Sequence, residues 1–128
     1  MVKQIKMFLL KESMKKNKTP WIKVQKDMIS KYRETTNKNK LATDDEIELK
    51  IVRAFYSGSY DSINENRTIK QYGYLTIVRD NKKNMITYIN NDKKLNRNGK
   101  IDYKIKDGIT GIYNSVFGGI TNEKNNIN

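Results

Sequence analysis

The 128-residue chain has a formal net charge of +12, from 26 basic and 14 acidic side chains. It has neither cysteine nor histidine, which excludes disulfides, cysteine nucleophiles and histidine general bases and removes the usual ligands of structural zinc. No run of about 18 apolar residues is present, so we expect one cytoplasmic domain with no membrane segment, no metal and no cofactor.

The positive charge is concentrated in the N-terminal third. Residues 1–40 carry 12 basic and 3 acidic side chains, whereas residues 41–63 carry 2 basic and 5 acidic ones. A basic segment of this density attracts polyanions, because each neutralised phosphate releases condensed counterions. The alternative explanation is compositional, since 21 lysines and 16 asparagines are what AT-rich coding produces.

The first predicted element is an amphipathic helix over residues 3–15. Ile5, Phe8 and Leu9 recur at helical spacing, and lysines fall on or beside the opposite side. The pattern predicts that these three apolar side chains face the core.

A second helix is predicted from Pro20 to about Glu34. Thr19 is suited to cap the first turn, and proline at the first helical position loses no needed donor. The apolar residues at spacings of three and four are Trp21, Val24, Met28, Ile29 and Tyr32. The polar, asparagine-rich segment 35–40 predicts a loop.

The acidic island that follows predicts the start of a third helix. Thr43 and Glu46 have the spacing of a capping box, and carboxylates in a first turn lie against the positive end of the helix dipole. The predicted buried stripe consists of Ile47, Ile51, Ala54 and Phe55. A catalytic pairing of Asp44 and Asp45 has no partner acid or metal in the sequence, so a helix start is the better interpretation.

The remaining segments give weaker signals. Residues 72–90 carry β-branched and aromatic residues around a polar centre, which favours a hairpin, but helical spacing is also available. Residues 90–100 predict a loop and residues 121–128 a frayed tail. A last helix is predicted around residues 109–117, stopped by the glycines at 118–119.

These elements predict an all-α fold, a small helical bundle with three N-terminal amphipathic helices and a C-terminal helix. The three helices form residues 1–63, the uncertain middle and the last helix form residues 64–120 of the same domain, and residues 121–128 form a flexible tail. Periodicity leaves open an α+β alternative with a hairpin at about 72–90.

Three segments in this order resemble the YqeY family, small cytosolic proteins related to the tail domain of the GatB subunit of tRNA-dependent amidotransferases. They are LLKESMKKNKTPWIKVQKDMISKYRE, LATDDEIELKIV and YDSI, within about Leu9 to Ile63. The family's L-K-x-x-M-K helix leads to a helix with a basic residue, matched by Lys26, and then to L-T-D-E-E-V and D-S-I motifs. Residues 99–119 are similar to its closing K-D-x-G turn and short helix.

The chain also departs from the family pattern. Residues 57–60 stand where basic residues usually precede the D-S-I, and residues 64–98 lack the acidic helical stretch and the Y-L-P. The resemblance implies an all-helical fold, contact with tRNA or another structured RNA, and no chemistry of its own, because the amidase machinery belongs to another subunit. The composition and the drifted middle suggest a divergent member from a phage or other mobile element.

The first functional hypothesis is therefore a small, basic, non-catalytic module that binds tRNA or another structured RNA. The predicted nucleic-acid-binding residues are Lys11, Lys15, Lys16, Lys18, Lys23, Lys26, Lys31 and Arg33. We expect the lysines from Lys11 to Lys18 to form one patch where the first two predicted helices meet. Trp21 and Tyr32 are candidates to stack a base, although the spacing of Trp21 favours the core.

Two alternatives stay open. The first is a winged-helix-type DNA-binding regulator with residues 43–56 near the groove and residues 74–89 as the wing, although the acids at 44–48 would then face phosphates. The second is a phage or mobile-element protein that binds and modulates a host protein through its tyrosine-rich middle. An enzyme is not predicted, because no spacing among the Lys, Asp, Glu, Tyr and Ser residues forms a nucleophile with an oriented base.

Overall fold

The computed structural model describes residues 2–35, 37–91 and 98–118, which form four α-helices, one 3-10 turn and a five-stranded sheet. The helices are α1 (Val2–Lys16), α2 (Lys26–Arg33), α3 (Asp44–Ser57) and α4 (Tyr103–Phe117), and the 3-10 turn is Asn37–Asn39. The strands are β1 (Lys23–Val24), β2 (Ser59–Ile63), β3 (Arg67–Tyr72), β4 (Leu75–Asp80) and β5 (Met85–Asn91). None of the described helices is long and apolar enough to span a membrane.

The strands follow the spatial order β1-β5-β4-β3-β2. β2 to β5 form an antiparallel meander, and β1 pairs with β5 in parallel. The edges are thus the two-residue β1 and the strand β2, whose register with β3 shifts between Tyr60 and Ser62. One hydrophobic core joins the inner face of the sheet to α1, α3 and α4.

The prediction of an all-α bundle is wrong, because residues 59–91 form four paired strands. β4 and β5 make the hairpin that the alternative placed at about 72–90, but neither prediction contained the other three strands. The strands carry apolar residues on both faces, which explains the ambiguity. Ile77 belongs to the core, whereas Ile69 and Val78 lie on the opposite face, so apolar and polar residues do not alternate.

The second predicted helix is also too long. α2 begins at Lys26 rather than at Pro20, because the segment before it is extended. Val24 pairs with Ile86 of β5, and both are buried in the core together with Ile22. Tertiary pairing therefore overrides the helical spacing of this segment.

The first helix forms, but its predicted core face is wrong. Leu10 and Met14 are the fully buried residues, on the side that packs against α4, whereas Ile5, Phe8 and Leu9 are 60%, 62% and 49% exposed. Apolar residues lie on several sides of the first half of α1, so their spacing alone does not select which side turns inward.

The third helix begins as predicted and is the central helix of the fold. The Thr43 hydroxyl accepts a hydrogen bond from the backbone N–H of Glu46 at 3.2 Å. The whole predicted stripe is buried, and so are Leu49 and Val52 on other sides of the helix. α3 therefore has protein around most of its circumference, with contacts to the sheet, α2 and α4.

The predicted C-terminal helix is confirmed. α4 begins after Asp102, whose carboxylate accepts from the backbone N–H of Ile105 at 3.2 Å, and it ends at Gly118 with a φ of 81°. Such a left-handed angle favours glycine. The second stop glycine, the tail 121–128 and most of the predicted loop 90–100 lie outside the described residues; of that loop, Gly99 forms an isolated bridge with Gly73.

Candidate nucleic-acid interface

Seven of the eight basic residues predicted to bind nucleic acid are exposed. They are Lys11, Lys15, Lys16, Lys18, Lys23, Lys26 and Lys31. None of the seven ammonium groups lies within 4.0 Å of a carboxylate oxygen of the described residues. Six of the seven fall into two separate groups, the first of which consists of the lysines that the sequence analysis expected to form one patch, and Lys26 at the start of α2 lies outside both.

The first group, the helix-end cluster, consists of Lys11, Lys15, Lys16 and Lys18. Its geometry follows from the Schellman motif that ends α1, in which the backbone N–H of Thr19 donates to the carbonyl of Met14 at 2.9 Å and that of Lys18 donates to the carbonyl of Lys15 at 3.1 Å. Lys18 occupies the left-handed position of the motif, with a φ of 62°. The tight turn holds its charge beside those of the last helical turn.

One further lysine lies near this cluster that the sequence analysis missed. Lys104 at the start of α4 lines a surface cavity together with Asn17 and Thr19 from the end of α1. The two segments are far apart in the sequence and meet through the packing of α1 on α4. Sequence spacing alone carried no signal for this juxtaposition.

The two predicted base-stacking residues pack against the core instead. Trp21 and Tyr32 are both half-buried and contact the core cluster. The Nζ atom of Lys11 lies 5.7 Å from the centre of the Trp21 ring, so a lysine also covers part of this ring. The geometry favours a packing role for both side chains.

The second group consists of Lys23 and Lys31. It lies on the outer sheet face, the side of the sheet that is turned away from the core. Ile69, Val78 and Tyr88 are cross-strand neighbours and form a row there across β3, β4 and β5. Tyr88 is 46% exposed, and the Nζ atom of Lys31 lies 4.8 Å from its ring centre. Lys23 points to the same side, because the residue that follows it in β1 faces the core.

Sequence reasoning assigned Tyr88 to a protein interface and missed Arg67 altogether. Arg67 is exposed at the start of β3, two residues before Ile69 and therefore on the outer sheet face. Its cross-strand neighbour Asp80 accepts two backbone N–H groups of the β4–β5 turn. Only the register of the strands brings Arg67, Lys23 and Tyr88 to one face, and that register was not predicted.

The eighth predicted residue, Arg33, belongs to neither group. Its guanidinium forms an ion pair with Asp44 and donates to the backbone carbonyls of Ala42 and Asn39. These contacts tie the end of α2 to the segment that starts α3. The structure therefore gives Arg33 a structural role, and its predicted nucleic-acid contact stays a prediction.

The acidic island at the start of α3 is held by cations of the same chain. Lys3 pairs with Asp45 at 3.1 Å. Burial raises the pKa of Glu48, the carboxylates of Asp45 and Asp44 raise it further, and Lys11 acts in the opposite direction. Over the described ranges, no three aspartate or glutamate residues gather as a metal site. The island supports the entry of the chain into α3.

Comparisons with protein-family models, curated proteins and solved structures found no match to this chain. The resemblance to the YqeY family therefore stays a prediction. The all-helical fold that it implies is wrong, and Asp61, Ser62 and Ile63 of the D-S-I motif lie in β2.

Proposed function

We propose that this protein is a non-catalytic module that binds structured RNA, with tRNA as the first ligand to test. The proposal depends mainly on one observation: seven predicted lysines are exposed, and none of their ammonium groups lies within 4.0 Å of a carboxylate oxygen of the described residues. Unpaired surface ammonium groups release counterions from a phosphate backbone without first giving up an ion pair of their own.

The outer sheet face supports RNA as the ligand. Tyr88 presents a half-exposed ring on the outer face of β5, with Lys31 beside the ring and Lys23 on the same face. RNA loops and bulges carry unstacked bases, which bind to aromatic rings on such surfaces while cations hold the backbone. Lysine is a point charge rather than a bidentate reader, so we expect recognition of backbone shape more than of sequence.

Filter binding of the full chain to bulk tRNA across a salt series tests this function. If six lysines each neutralise one phosphate, log K should fall with log salt with a slope of about −4 to −5. Replacing Lys15, Lys16 and Lys18 by glutamine should reduce the slope by about 2. As a control, the double variant Lys38→Gln and Lys40→Gln removes two exposed loop charges and should change the salt slope little. An absence of binding at ~50 mM salt would eliminate the proposal.

The outer sheet face is tested separately by Tyr88→Ala. Loss of one stacked base weakens binding by about 1–3 kcal/mol while leaving the salt slope unchanged. If Tyr88→Ala binds as wild type while the lysine variants do not, the protein contacts RNA through charge alone.

The winged-helix alternative gains no support from the geometry. Its groove-facing helix would be α3, but Ile47, Leu49, Val52 and Phe55 are buried on several sides of that helix. A helix surrounded by its own protein does not enter a major groove.

A specific observation favours protein binding as a second candidate function. The exposed side of α1 carries Ile5, Phe8 and Leu9, an apolar stripe with the i, i+3, i+4 spacing of helices that dock in grooves. A stoichiometric partner that is lost on Phe8→Ser but retained on Lys15→Gln would establish this function. Retention of that partner by the Phe8→Ser variant would show that the stripe is not its binding site.

A further inference from the structure

Two cations converge on one aromatic ring at the C-terminal end of α3. Lys70 of β3 and Arg79 of β4 lie with their charged groups 5.2 Å and 5.1 Å from the centre of the Phe55 ring. The Nζ atom of Lys70 also lies 4.3 Å from the ring of Tyr60 in the edge strand β2. We call Phe55, Tyr60, Lys70 and Arg79 the cation cluster.

The charges of this cluster are poorly compensated. Lys70 is only 5% exposed, yet within the described residues its Nζ atom makes one long hydrogen bond, 3.5 Å to the backbone carbonyl of Tyr56. Arg79 donates to the side-chain oxygen of Asn81 at 3.1 Å. No carboxylate in the described parts of the chain pairs with either cation. Burial lowers the pKa of Lys70, and the neighbouring Arg79 lowers it further.

A purely structural role explains only part of this arrangement. The negative end of the α3 dipole and the aromatic faces favour a cation near the Tyr56 carbonyl. One lysine would satisfy that carbonyl, whereas the second cation adds repulsion in a partly dehydrated place. A buried lysine beside a part-buried arginine, with no carboxylate of the described residues paired to either, is an arrangement that a bound anion stabilises.

We infer that the cation cluster binds a phosphate monoester carried on a ring-bearing ligand, such as a nucleoside 5′-phosphate or the 5′-phosphorylated end of an RNA. The phosphate lies between Lys70 and Arg79, and the ring of the ligand stacks on Tyr60. This site is separate from the helix-end cluster and from the outer sheet face, because its residues point toward α3. It therefore stands whether or not those surfaces bind RNA.

Tyr60 provides the entrance to this site. It belongs to an edge strand and is 69% exposed, although its ring lies directly over the buried ammonium group. Rotation of this one side chain uncovers Lys70 while leaving the backbone pairing of β2 intact. The same ring is then free to stack on the base of the ligand.

Thermal unfolding of the full chain gives the first test, at constant ionic strength. Adenosine 5′-monophosphate at ~20 times its Kd should raise Tm by about 5 °C. Inorganic phosphate should give a smaller rise, and adenosine or sodium chloride none. An equal rise with adenosine or with chloride would overturn the proposal, and so would no rise with the monophosphate.

Calorimetric titration of variants locates the site. Arg79→Met and Lys70→Met should each weaken binding of adenosine 5′-monophosphate at least about tenfold, because each removes one charge-assisted contact. Tyr60→Ala should weaken the nucleotide about tenfold by loss of stacking, while inorganic phosphate binds at least as well as before. The control Lys38→Gln, at an exposed lysine outside every proposed binding surface, should bind the nucleotide as wild type. If Lys70→Met fails to fold, Arg79→Met and Tyr60→Ala decide, and wild-type affinity in both would refute the site.

Two RNA oligonucleotides distinguish the sources of the phosphate. A 5′-phosphorylated RNA that binds more tightly than its 5′-hydroxyl form, and competes with the monophosphate, assigns the site to an RNA end. Equal binding of the two RNAs, with the monophosphate still bound, assigns it to a free nucleotide. The salt slope with tRNA is also measured on Arg79→Met. This measurement separates loss of the phosphate site from loss of RNA binding by the surface lysines.

Discussion

The guanidinium of Arg33, in the last turn of α2, forms an ion pair with the carboxylate of Asp44, in the first turn of α3. The same guanidinium donates to the backbone carbonyl of Ala42, which lies between the two helices. One side chain thus fixes the angle at which the chain enters its central helix.

Arg33→Ala should therefore destabilise the protein. The variant removes the ion pair with Asp44 and leaves the part-buried carbonyl of Ala42 without its donor, while that of Asn39 keeps the N–H of Ala42. It should lower the free energy of unfolding by about 1–2 kcal/mol. Lys31→Ala, an exposed residue of the same helical turn, should change it by less than about 0.5 kcal/mol. Urea unfolding measures both. Equal effects of the two substitutions would contradict the structural role of Arg33.

Lys18→Gly should stabilise the fold. Lys18 holds a left-handed backbone angle, which costs roughly 1 kcal/mol in any residue with a β-carbon and nothing comparable in glycine. Lys16→Gly is the matched control with the opposite sign, because Lys16 is still helical and glycine there costs about 0.5–1 kcal/mol. Thermal unfolding at low salt reads both, and a loss of Tm in Lys18→Gly would show that the turn is not strained.

The inward face of α1 is tested by paired truncations. Met14→Ala removes a fully buried side chain and should cost about 2–4 kcal/mol. Phe8→Ala removes a larger but mostly exposed side chain and should cost less than about 1 kcal/mol. Denaturant unfolding measures both losses. A larger loss for Phe8→Ala than for Met14→Ala would show that the side of α1 predicted from the sequence is the one that faces the core.

The loss of stability above pH 10 should depend on Tyr113. Burial raises the pKa of its phenol to about 12, and the carboxylates of Glu46 and Asp45 add to this shift. Between pH 10 and about 12 the folded protein keeps a proton that the unfolded chain releases, so the free energy of unfolding falls as pH rises, by about 2 kcal/mol in total.

Tyr113→Phe should remove this part of the decline, as measured by urea unfolding at pH 9, 10 and 11. The decline should not vanish, because burial also raises the pKa of Tyr56, which the variant retains. If the free energy of unfolding falls with pH equally in the wild type and in Tyr113→Phe above pH 10, the raised pKa of Tyr113 does not contribute to the decline and the prediction is wrong.

The helix ends were predictable because they depend on local chemistry. Thr43 caps α3 through its own hydroxyl, and Gly118 ends α4 through its own backbone freedom. β1 was not predictable in this way, because Val24 becomes a strand residue only when Ile86, 62 positions later, lies beside it. The same limit applies to β3, whose apolar residues point to both faces.

The sequence analysis named the lysines of the candidate interface and the location of the helix-end cluster, but not the group on the outer sheet face. Exposure of a lysine such as Lys15 follows from its type, whereas the grouping of Lys23 with Tyr88 depends on strand register. Lys70 and Arg79 are separated by a hairpin turn and converge only because β3 and β4 are antiparallel neighbours below α3. No periodicity in the sequence marks that convergence.

The shifted register of β2 affects how copies of this protein behave toward one another. An even ladder of free backbone groups along a sheet margin invites another chain to pair with it and begin a fibre. Here one margin consists of the two-residue β1 and the remaining length of β5, which α2 contacts. The other margin is interrupted next to Asp61, where the spacing of its donors and acceptors breaks. Concentrated solutions should thus resist strand-by-strand polymerisation, even though the apolar stripe on α1 remains uncovered.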